Sequence, residues 1–184
     1  DQWTRSYPPS PGASNQPAPP TPTPTVSPTA TPGVYPTGVS LNEYMPDPAS
    51  DWNGDGAANQ NDEYIELHNA NDLAVDVSGW RLDDMDDGRA RRFLFGPGGS
   101  PPYTLPAGAS IPARGFLLVF RSESGIALNN DGDSVRLLRP DGVLVEATEY
   151  GSSRDDEAYS KTADGGDQWT RSYPPSPGAS NQPA

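Results

Sequence analysis

Short runs of alternating or wholly apolar residues, separated by Gly, Pro, Asn and Asp, make up most of the chain after Gly38. Seven of these runs have the length and composition of ordinary β-strands, and they cover residues 38–45, 63–69, 75–82, 91–95, 115–121, 133–139 and 142–150. No window of helical length has a 3.6-residue period. The pattern therefore predicts an all-β, antiparallel β-sandwich.

Individual runs predict where some of these residues lie. Residues 63–69 alternate between apolar and more polar side chains, which predicts a half-buried strand. Residues 116–120 are apolar throughout, which predicts a central strand. Trp80 lies between strand-like runs and is predicted to be a core residue, whereas Trp169 with Tyr173 is predicted to close the sheet from the C-terminal end.

Several motifs occur in the order typical of one family. They are DEYIELHN at 62–69, VSGWRL at 77–82, LPAG at 105–108, IPARGF at 111–116, LNNDGDSVRL at 128–137, PDGV at 140–143, and AYSKTADG, Trp and PGASN within 158–181. Together they resemble the lamin tail domain over about residues 38–182. The resemblance implies an immunoglobulin-like sandwich without catalytic residues, of a type similar to accessory modules on secreted or surface proteins of bacteria.

The two ends of the chain have the same sequence. Residues 1–18 and 167–184 both have the sequence DQWTRSYPPSPGASNQPA, at an offset of 166 residues. Such a repeat predicts a tandem array, with a duplicated tag as the alternative. On the array interpretation, residues 1–16 are the C-terminal segment of a preceding identical repeat, 17–37 form a linker and 38–184 form the lamin-tail-like domain.

The linker is rich in proline and threonine, and no charged residue occurs between Arg5 and Glu43. Proline fixes φ and removes backbone donors, so these residues are expected to form an extended polyproline spacer of up to roughly 65 Å. Ser or Thr interleaved with Pro is typical both of O-glycosylated stalks and of bare linkers. The candidate glycosylation sites are Thr21, Thr23, Thr25, Ser27, Thr29 and Thr31.

Charge and composition exclude several classes of partner. The formal net charge of −13 opposes binding to nucleic acid and to anionic lipid, and it favours cations. The sequence contains no cysteine and no apolar run long enough to span a bilayer, so we expect no disulfide framework and no membrane insertion.

The strongest candidate for a binding motif is the loop at residues 51–62, DWNGDGAANQND. Counted from its first residue, oxygen-bearing side chains fall at positions 1, 3, 5, 9 and 12 with glycine at 6, as in a twelve-residue Ca²⁺ loop. Position 7 would contribute a backbone carbonyl, and Glu63 is a candidate for the missing bidentate ligand. The alternative is a loop shaped by turn propensity alone. The predicted ligands are Asp51, Asn53, Asp55, Ala57, Asn59, Asp62 and Glu63.

Catalytic motifs are lacking from the sequence. His68 is the single histidine, and neither a Gly-x-Ser-x-Gly motif nor a phosphate-binding glycine loop occurs. We therefore expect a non-catalytic protein. The leading hypothesis is a structural repeat of an extracellular or cell-surface bacterial fibre, stalk or adhesin, whose partners are neighbouring copies of itself. The alternative is an accessory module of a larger extracellular enzyme, with a carbohydrate or protein ligand.

Overall fold

The computed structural model describes residues 34–84 and 99–183. The folded domain considered below is Tyr35–Ala184, the second of the two units into which the chain divides. The N-terminal repeat copy, the predicted strand at 91–95 and all six candidate glycosylation sites lie outside the described residues. Tyr35 packs against the core, so the folded unit begins slightly before residue 38.

The described residues form short strands connected by turns. The strands in chain order are β1 Val39–Met45, β2 Tyr64–Asn69, β3 Val75–Asp76, β4 Arg81–Asp83, β5 Tyr103–Thr104, β6 Ser110–Ile111, β7 Phe116–Phe120, β8 Asp133–Leu138, β9 Leu144–Tyr150, β10 Tyr159–Lys161 and β11 Trp169–Thr170. A 3-10 turn at Gln60–Asp62 precedes β2, and one α-helical turn, α1 (Arg121–Ser124), follows β7. Among residues 34–84 and 99–183, no helix is long and apolar enough to cross a membrane.

The strands pair in three antiparallel sheets. A five-stranded sheet has the order β11-β10-β1-β2-β7, a four-stranded sheet has the order β5-β4-β8-β9, and β3 pairs with β6. β1 pairs with β2 along its whole length, from Val39 opposite Asn69 to Met45 opposite Tyr64, with a bulge between Leu41 and Glu43. The predicted antiparallel, immunoglobulin-like β-sandwich is confirmed.

Apolar side chains from both larger sheets form one continuous core. Leu41 of β1 and Leu67 of β2 contribute from the five-stranded sheet, and Leu82 of β4 and Leu137 of β8 contribute from the four-stranded sheet. All four are 0% exposed, and full burial of a leucine contributes about 1.5–3 kcal/mol. Trp80 is 1% exposed in the same cluster, which confirms its predicted place in the core.

Both faces of β2 are buried, so the prediction of a half-buried strand is wrong. Ile65 joins the main core, and Tyr64 on the opposite face packs with Met45 and Ala158 in a second, smaller cluster. Alternation indicates a solvent-facing side only when nothing else in the chain covers that side. Here residues near the C terminus cover it, a packing arrangement that a local pattern does not contain.

β7 lies at the edge of the five-stranded sheet, so the prediction of a central strand is also wrong. Its apolar character has another cause, because both of its faces are in contact with apolar groups. Leu117 packs against the main core, whereas Leu118 and Phe120 pack against the second cluster. A strand covered on both faces has a continuous apolar sequence whether or not both of its edges are paired.

The run at 75–82 forms two strands rather than one. β3 pairs with β6, whereas β4 pairs with β5 and β8 in a different sheet. Between them the Trp80 N–H donates to the Val77 carbonyl at 3.1 Å, and Gly79 has a φ of 76°. That left-handed conformation suits glycine and allows the chain to pass from one sheet to the other.

Candidate functional site

The loop at residues 51–62, which joins β1 to the 3-10 turn before β2, is organised around acidic side chains. The carboxylate of Asp51 accepts the backbone N–H groups of Gly54 at 2.8 Å, Asp55 at 3.1 Å and Gly56 at 2.8 Å. Gly54 and Gly56 have φ values of 75° and 92°, which glycine adopts readily. The first half of the loop therefore folds around the Asp51 carboxylate.

Asp62 fastens the loop to the sandwich. Its carboxylate is completely buried and accepts the N–H groups of Trp52 at 2.8 Å, Asn53 at 2.9 Å and Asn59 at 2.9 Å. Asn59 in turn caps the 3-10 turn by accepting the N–H of Asn61 at 2.9 Å. Hydrogen bonds from amides to a carboxylate are stronger than those between neutral groups, so Asp62 is a structural anchor of the loop.

The structure brings part of the predicted calcium-ligand set together. Asn53 Oδ1 accepts the N–H of Asp55 at 2.8 Å, and the Ala57 carbonyl accepts the side-chain amide of Asn59 at 2.8 Å. Within residues 34–84 and 99–183, no group of three or more Asp, Glu, His or Cys side chains is placed to hold a metal ion. Calcium binding by this loop stays a prediction.

The carboxylate of Glu63 accepts hydrogen bonds from residues outside the loop. Its Oε1 accepts Arg121 Nη1 at 2.6 Å, and its Oε2 accepts the N–H of Leu128 at 2.7 Å. Burial raises the pKa of Glu63 to about 7, and the Leu128 N–H and the Arg121 charge lower it in opposition. Glu63 and Arg121 line an open cleft of about 360 Å³, together with Asp47 and Asn129.

Residues 167–183, hereafter the closing segment, extend the five-stranded sheet at its other edge. β10 pairs with β1, and β11 of the closing segment pairs with β10. The ring of Trp169 packs against the core with its centroid 5.2 Å from that of Tyr44, and the ammonium of Lys161 lies 4.7 Å from the Trp169 ring centroid. The prediction that Trp169 closes the sheet is confirmed.

Beyond β11, the closing segment crosses the polar face of β1 and β2 and meets the completely buried Glu43. The Ser176 N–H donates to Glu43 Oε1 at 2.9 Å, and the Ser176 hydroxyl lies 2.9 Å from Oε2. The Glu43 carboxylate also accepts the hydroxyls of Ser160 at 3.0 Å and of Tyr64. A buried carboxylate is tolerated only when such donors surround it.

Asn181 and Gly178 make the next contacts. The side-chain amide of Asn181 donates to the carbonyls of Asn42 and Lys161, both at 3.1 Å. The Gly178 N–H donates to Glu66 Oε2 at 2.5 Å, and the Asn42 side-chain amide donates to Glu66 Oε1 at 2.9 Å. The closing segment is thus held through its backbone as well as through its side chains.

Asp164, in the turn after β10, completes this surface. Its Oδ1 accepts the Asn181 N–H at 3.1 Å and the Asn42 side-chain amide at 3.2 Å, and its Oδ2 accepts the Ser180 hydroxyl. Gly165 follows with a φ of 69°, and a Cβ there would lie 3.0 Å from His68 Nδ1. We call this surface the closing groove, and it consists of Asn42, Glu43, Glu66, Lys161 and Asp164.

The closing groove contains acids close together and out of water. Glu43 and Glu66 are opposite each other in the pairing of β1 and β2, and both are 0% exposed. Burial raises the pKa of Glu66 to about 7, and the charges of Glu43 and Asp164 raise it further, whereas the Asn42 and Gly178 donors lower it. Donors from the closing segment therefore compensate a charge arrangement that would otherwise destabilise the sheet.

Sequence reasoning missed the closing groove. It treated the polar alternation of β2 as solvent-facing and gave no role to Asn42 or Glu43. A signal was present in the repeated segment, where Ser176, Gly178 and Asn181 offer small donor groups at close spacing. Such donors can form hydrogen bonds with acidic side chains of two paired strands. Their presence is therefore compatible with burial of the acids beneath the segment.

Within the part of the chain that the structure describes, Ser40 and His68 are not hydrogen-bonded to each other. Burial lowers the pKa of His68, and its ring lies 5.1 Å from the ring of Phe116. Ser40 is its partner in the pairing of β1 and β2, but Ser40 Oγ and His68 Nδ1 are both buried without a hydrogen-bond partner. A serine activated by histidine requires a hydrogen bond between the two.

Comparison with known proteins agrees with the fold. No curated protein and no solved structure matches the chain. The model of one family, the lamin tail domain, matches residues 35–152. The match contains the strands β1 to β9 and ends before β10 and the closing segment. Because it covers more than half of the chain and includes strands from every sheet of the sandwich, this chain belongs to the lamin tail domain family.

Proposed function

We propose that the chain is a non-catalytic structural repeat of a secreted or cell-surface fibre, stalk or adhesin, in which β-sandwiches alternate with Pro/Thr-rich spacers. One observation carries the proposal. The closing segment is an integral part of its sandwich, and an identical copy of it, at residues 1–18, precedes the spacer. A sequence that completes one domain at its C-terminal end is expected to complete another domain upstream.

The contacts of the closing segment support this interpretation over that of a duplicated tag. A tag has no need of a tryptophan in the core or of an asparagine that is 6% exposed, yet Trp169 packs on Tyr44 and Asn181 is buried in the closing groove. The same side chains recur as Trp3 and Asn15. The repeating unit of the array is then one spacer followed by one sandwich, and the partners of each unit are its neighbours in the chain.

Native material tests the array directly. Its denaturing gel should show a species several repeats long, because the connection between sandwiches is covalent. The recombinant 184-residue chain run in parallel gives the position of a single unit. A native band at the size of one unit, with nothing above it, contradicts the tandem array.

The second candidate is an accessory binding module for a carbohydrate or protein ligand, and the cleft beside Glu63 favours it. That cleft, of about 360 Å³, presents the guanidinium of Arg121 and the side chains of Asp47 and Asn129. Polar groups converging in a cleft are typical of ligand sites. Binding of an oligosaccharide panel that is lost in Arg121→Ala but kept in Arg114→Ala would support the module, and a parent gene with many near-identical repeats would favour the fibre.

A further inference from the structure

The closing groove recognises a short sequence rather than a particular position in the chain. Its contacts use the backbone N–H of Ser176 and Gly178, the hydroxyls of Ser176 and Ser180, and both amide groups of Asn181. The N-terminal copy has the same residue types at the same spacing. The matching residues are Ser10, Gly12, Ser14 and Asn15.

An empty closing groove is unfavourable. If the closing segment leaves, the Glu43 and Glu66 carboxylates lose the Ser176 and Gly178 donors while Tyr64, Ser160 and Asn42 remain beside them. Hydrogen bonds to charged groups are among the stronger ones, so an occupant that supplies the same donors is favoured over an empty groove. The exposed edge of β10 also loses its pairing with β11, and an unpaired edge is a template for another strand.

We propose that the closing groove is a binding site for the N-terminal segment, residues 1–18, of a second copy of this chain. In that complex Trp3 and Thr4 take the places of Trp169 and Thr170 beside β10. Ser10, Gly12 and Asn15 then satisfy Glu43, Glu66 and Asn42. The segment contains one acid, Asp1, and one base, Arg5, so the net charge of −13 on the whole chain does not act against the segment itself.

The chain's own closing segment competes for the same site. It is tethered directly to β10, so its effective concentration is in the range typical of short tethers, on the order of millimolar. Exchange between chains is therefore expected where substitutions weaken the tethered copy relative to an intact copy on another chain. This inference does not depend on the proposed array, because it concerns separate polypeptides and requires only the groove and the repeated sequence.

The experiment uses the full chain with matched substitutions in its two identical segments. The C-terminal variant carries Ser176→Ala and Asn181→Ala, the N-terminal variant carries Ser10→Ala and Asn15→Ala, and a third variant carries all four. Sedimentation over a concentration series should show a single unit for the wild type and the N-terminal variant. The C-terminal variant should at least double in mass as concentration rises, and the variant with all four substitutions should not.

A synthetic peptide of residues 1–18 gives a second measurement in case the C-terminal variant folds poorly. The peptide should raise its melting midpoint and reduce its assembled mass, whereas a peptide with the two alanine substitutions should do neither. A C-terminal variant that stays monomeric, or whose assembly and melting are unaffected by the peptide, overturns the proposal. The proposal is also overturned if the C-terminal variant is monomeric and more stable than the variant with all four substitutions. The N-terminal copy would then be docking within its own chain.

Discussion

At the scale of single residues, the most consequential feature is the pair of buried carboxylates on neighbouring strands. Glu43 and Glu66 are opposed in the pairing of β1 and β2, a placement that is destabilising for like charges. Amide and hydroxyl donors of Ser160, Ser176 and Gly178 surround them. The stability of the sheet therefore depends on the closing segment through electrostatics as well as through the packing of Trp169.

This arrangement predicts that the folded state becomes less stable as pH rises through about 7. The pKa of Glu66 in the folded protein is raised to about 7, so the folded state holds a proton that the unfolded chain has already released. The groups facing Glu66 are Glu43, Asp164, the Asn42 amide and the Gly178 N–H. In denaturant titrations, the free energy of unfolding should fall by about 1 kcal/mol between about pH 6.5 and about pH 8.5 because of Glu66. Glu66→Gln should remove it.

Two other groups define the control and the window. The pKa of Glu63 is also raised to about 7. Glu63→Gln should therefore remove the contribution of Glu63 to the pH dependence of the free energy of unfolding and leave that of Glu66. The pKa of His68 is lowered, which makes stability fall toward acid pH, so the window begins at about its ordinary value, and the His68 contribution that remains is the same in Glu66→Gln and cancels in the difference from the wild type. If Glu66→Gln keeps the full slope of the wild type, the assignment to the closing groove is wrong.

At the scale of elements, the hydrophobic pattern located most strands but did not show which strands pair with each other. Residues 38–45, 133–139 and 142–150 were placed to within a few residues of β1, β8 and β9. The split of 75–82 at Gly79 was missed, because a left-handed glycine within an apolar run is visible only once the two halves pair in different sheets. The two-residue strands β5 and β6 have too few residues for a period and exist through pairing alone.

The loop at 51–62 shows the same limit for a site. Sequence spacing identified the loop and the acids Asp51 and Asp62, but it did not distinguish carboxylates that bind a cation from carboxylates that bind amides, as both do in the structure. It also assigned Glu63 to the loop, whereas Glu63 pairs with Arg121, more than fifty residues later in the chain. Long-range ion pairs leave no local sequence pattern, so the structure was needed to place that side chain.

Calcium binding by the loop can be tested without disturbing its anchor. A carboxylate has about four lone-pair sites, so the N–H contacts of Asp51 and Asp55 leave positions for a cation. With a dissociation constant on the order of 10⁻⁴ M, about 10 mM Ca²⁺ should stabilise the fold by roughly 2.7 kcal/mol relative to chelator. This corresponds to a rise in melting midpoint of about 5 to 10 °C.

The variants for this test separate ligand from anchor. Asp55→Ala should abolish the calcium response with little effect on the melt in chelator, since Asp55 is exposed and accepts only from within the loop, the Ala57 N–H at 2.9 Å and the Asn53 side-chain amide at 3.4 Å. Asp141→Ala is the matched control on another exposed turn and should keep the full response. Asp62 is not suitable, because its removal unfastens the loop. An identical midpoint in calcium and in chelator eliminates the site.

At the scale of the whole molecule, the folded domain extends past the residues that the family model matches. The family model ends at residue 152, yet β10, β11 and the closing segment complete the five-stranded sheet and bury the acids of β1 and β2. The folded unit therefore extends beyond the family match into residues that the motifs within 158–181 and the repeat at 167–184 had indicated. Which strands these residues cover followed only from the long-range pairing of β10 with β1.

The remaining prediction concerns the spacer between sandwiches, where six hydroxyl residues from Thr21 to Thr31 are interleaved with proline, valine and alanine. If they carry O-linked sugars, native protein should exceed the mass of its amino-acid sequence, with the excess confined to the peptide that contains them. The same chain made in a host without O-glycosylation is the control, and it should have the mass of the bare polypeptide. Attached sugars crowd neighbouring residues and keep the chain extended, whereas proline alone already fixes φ along this stretch. Equal masses would therefore exclude glycosylation but leave the extended spacer in place, since its stiffness comes from the backbone.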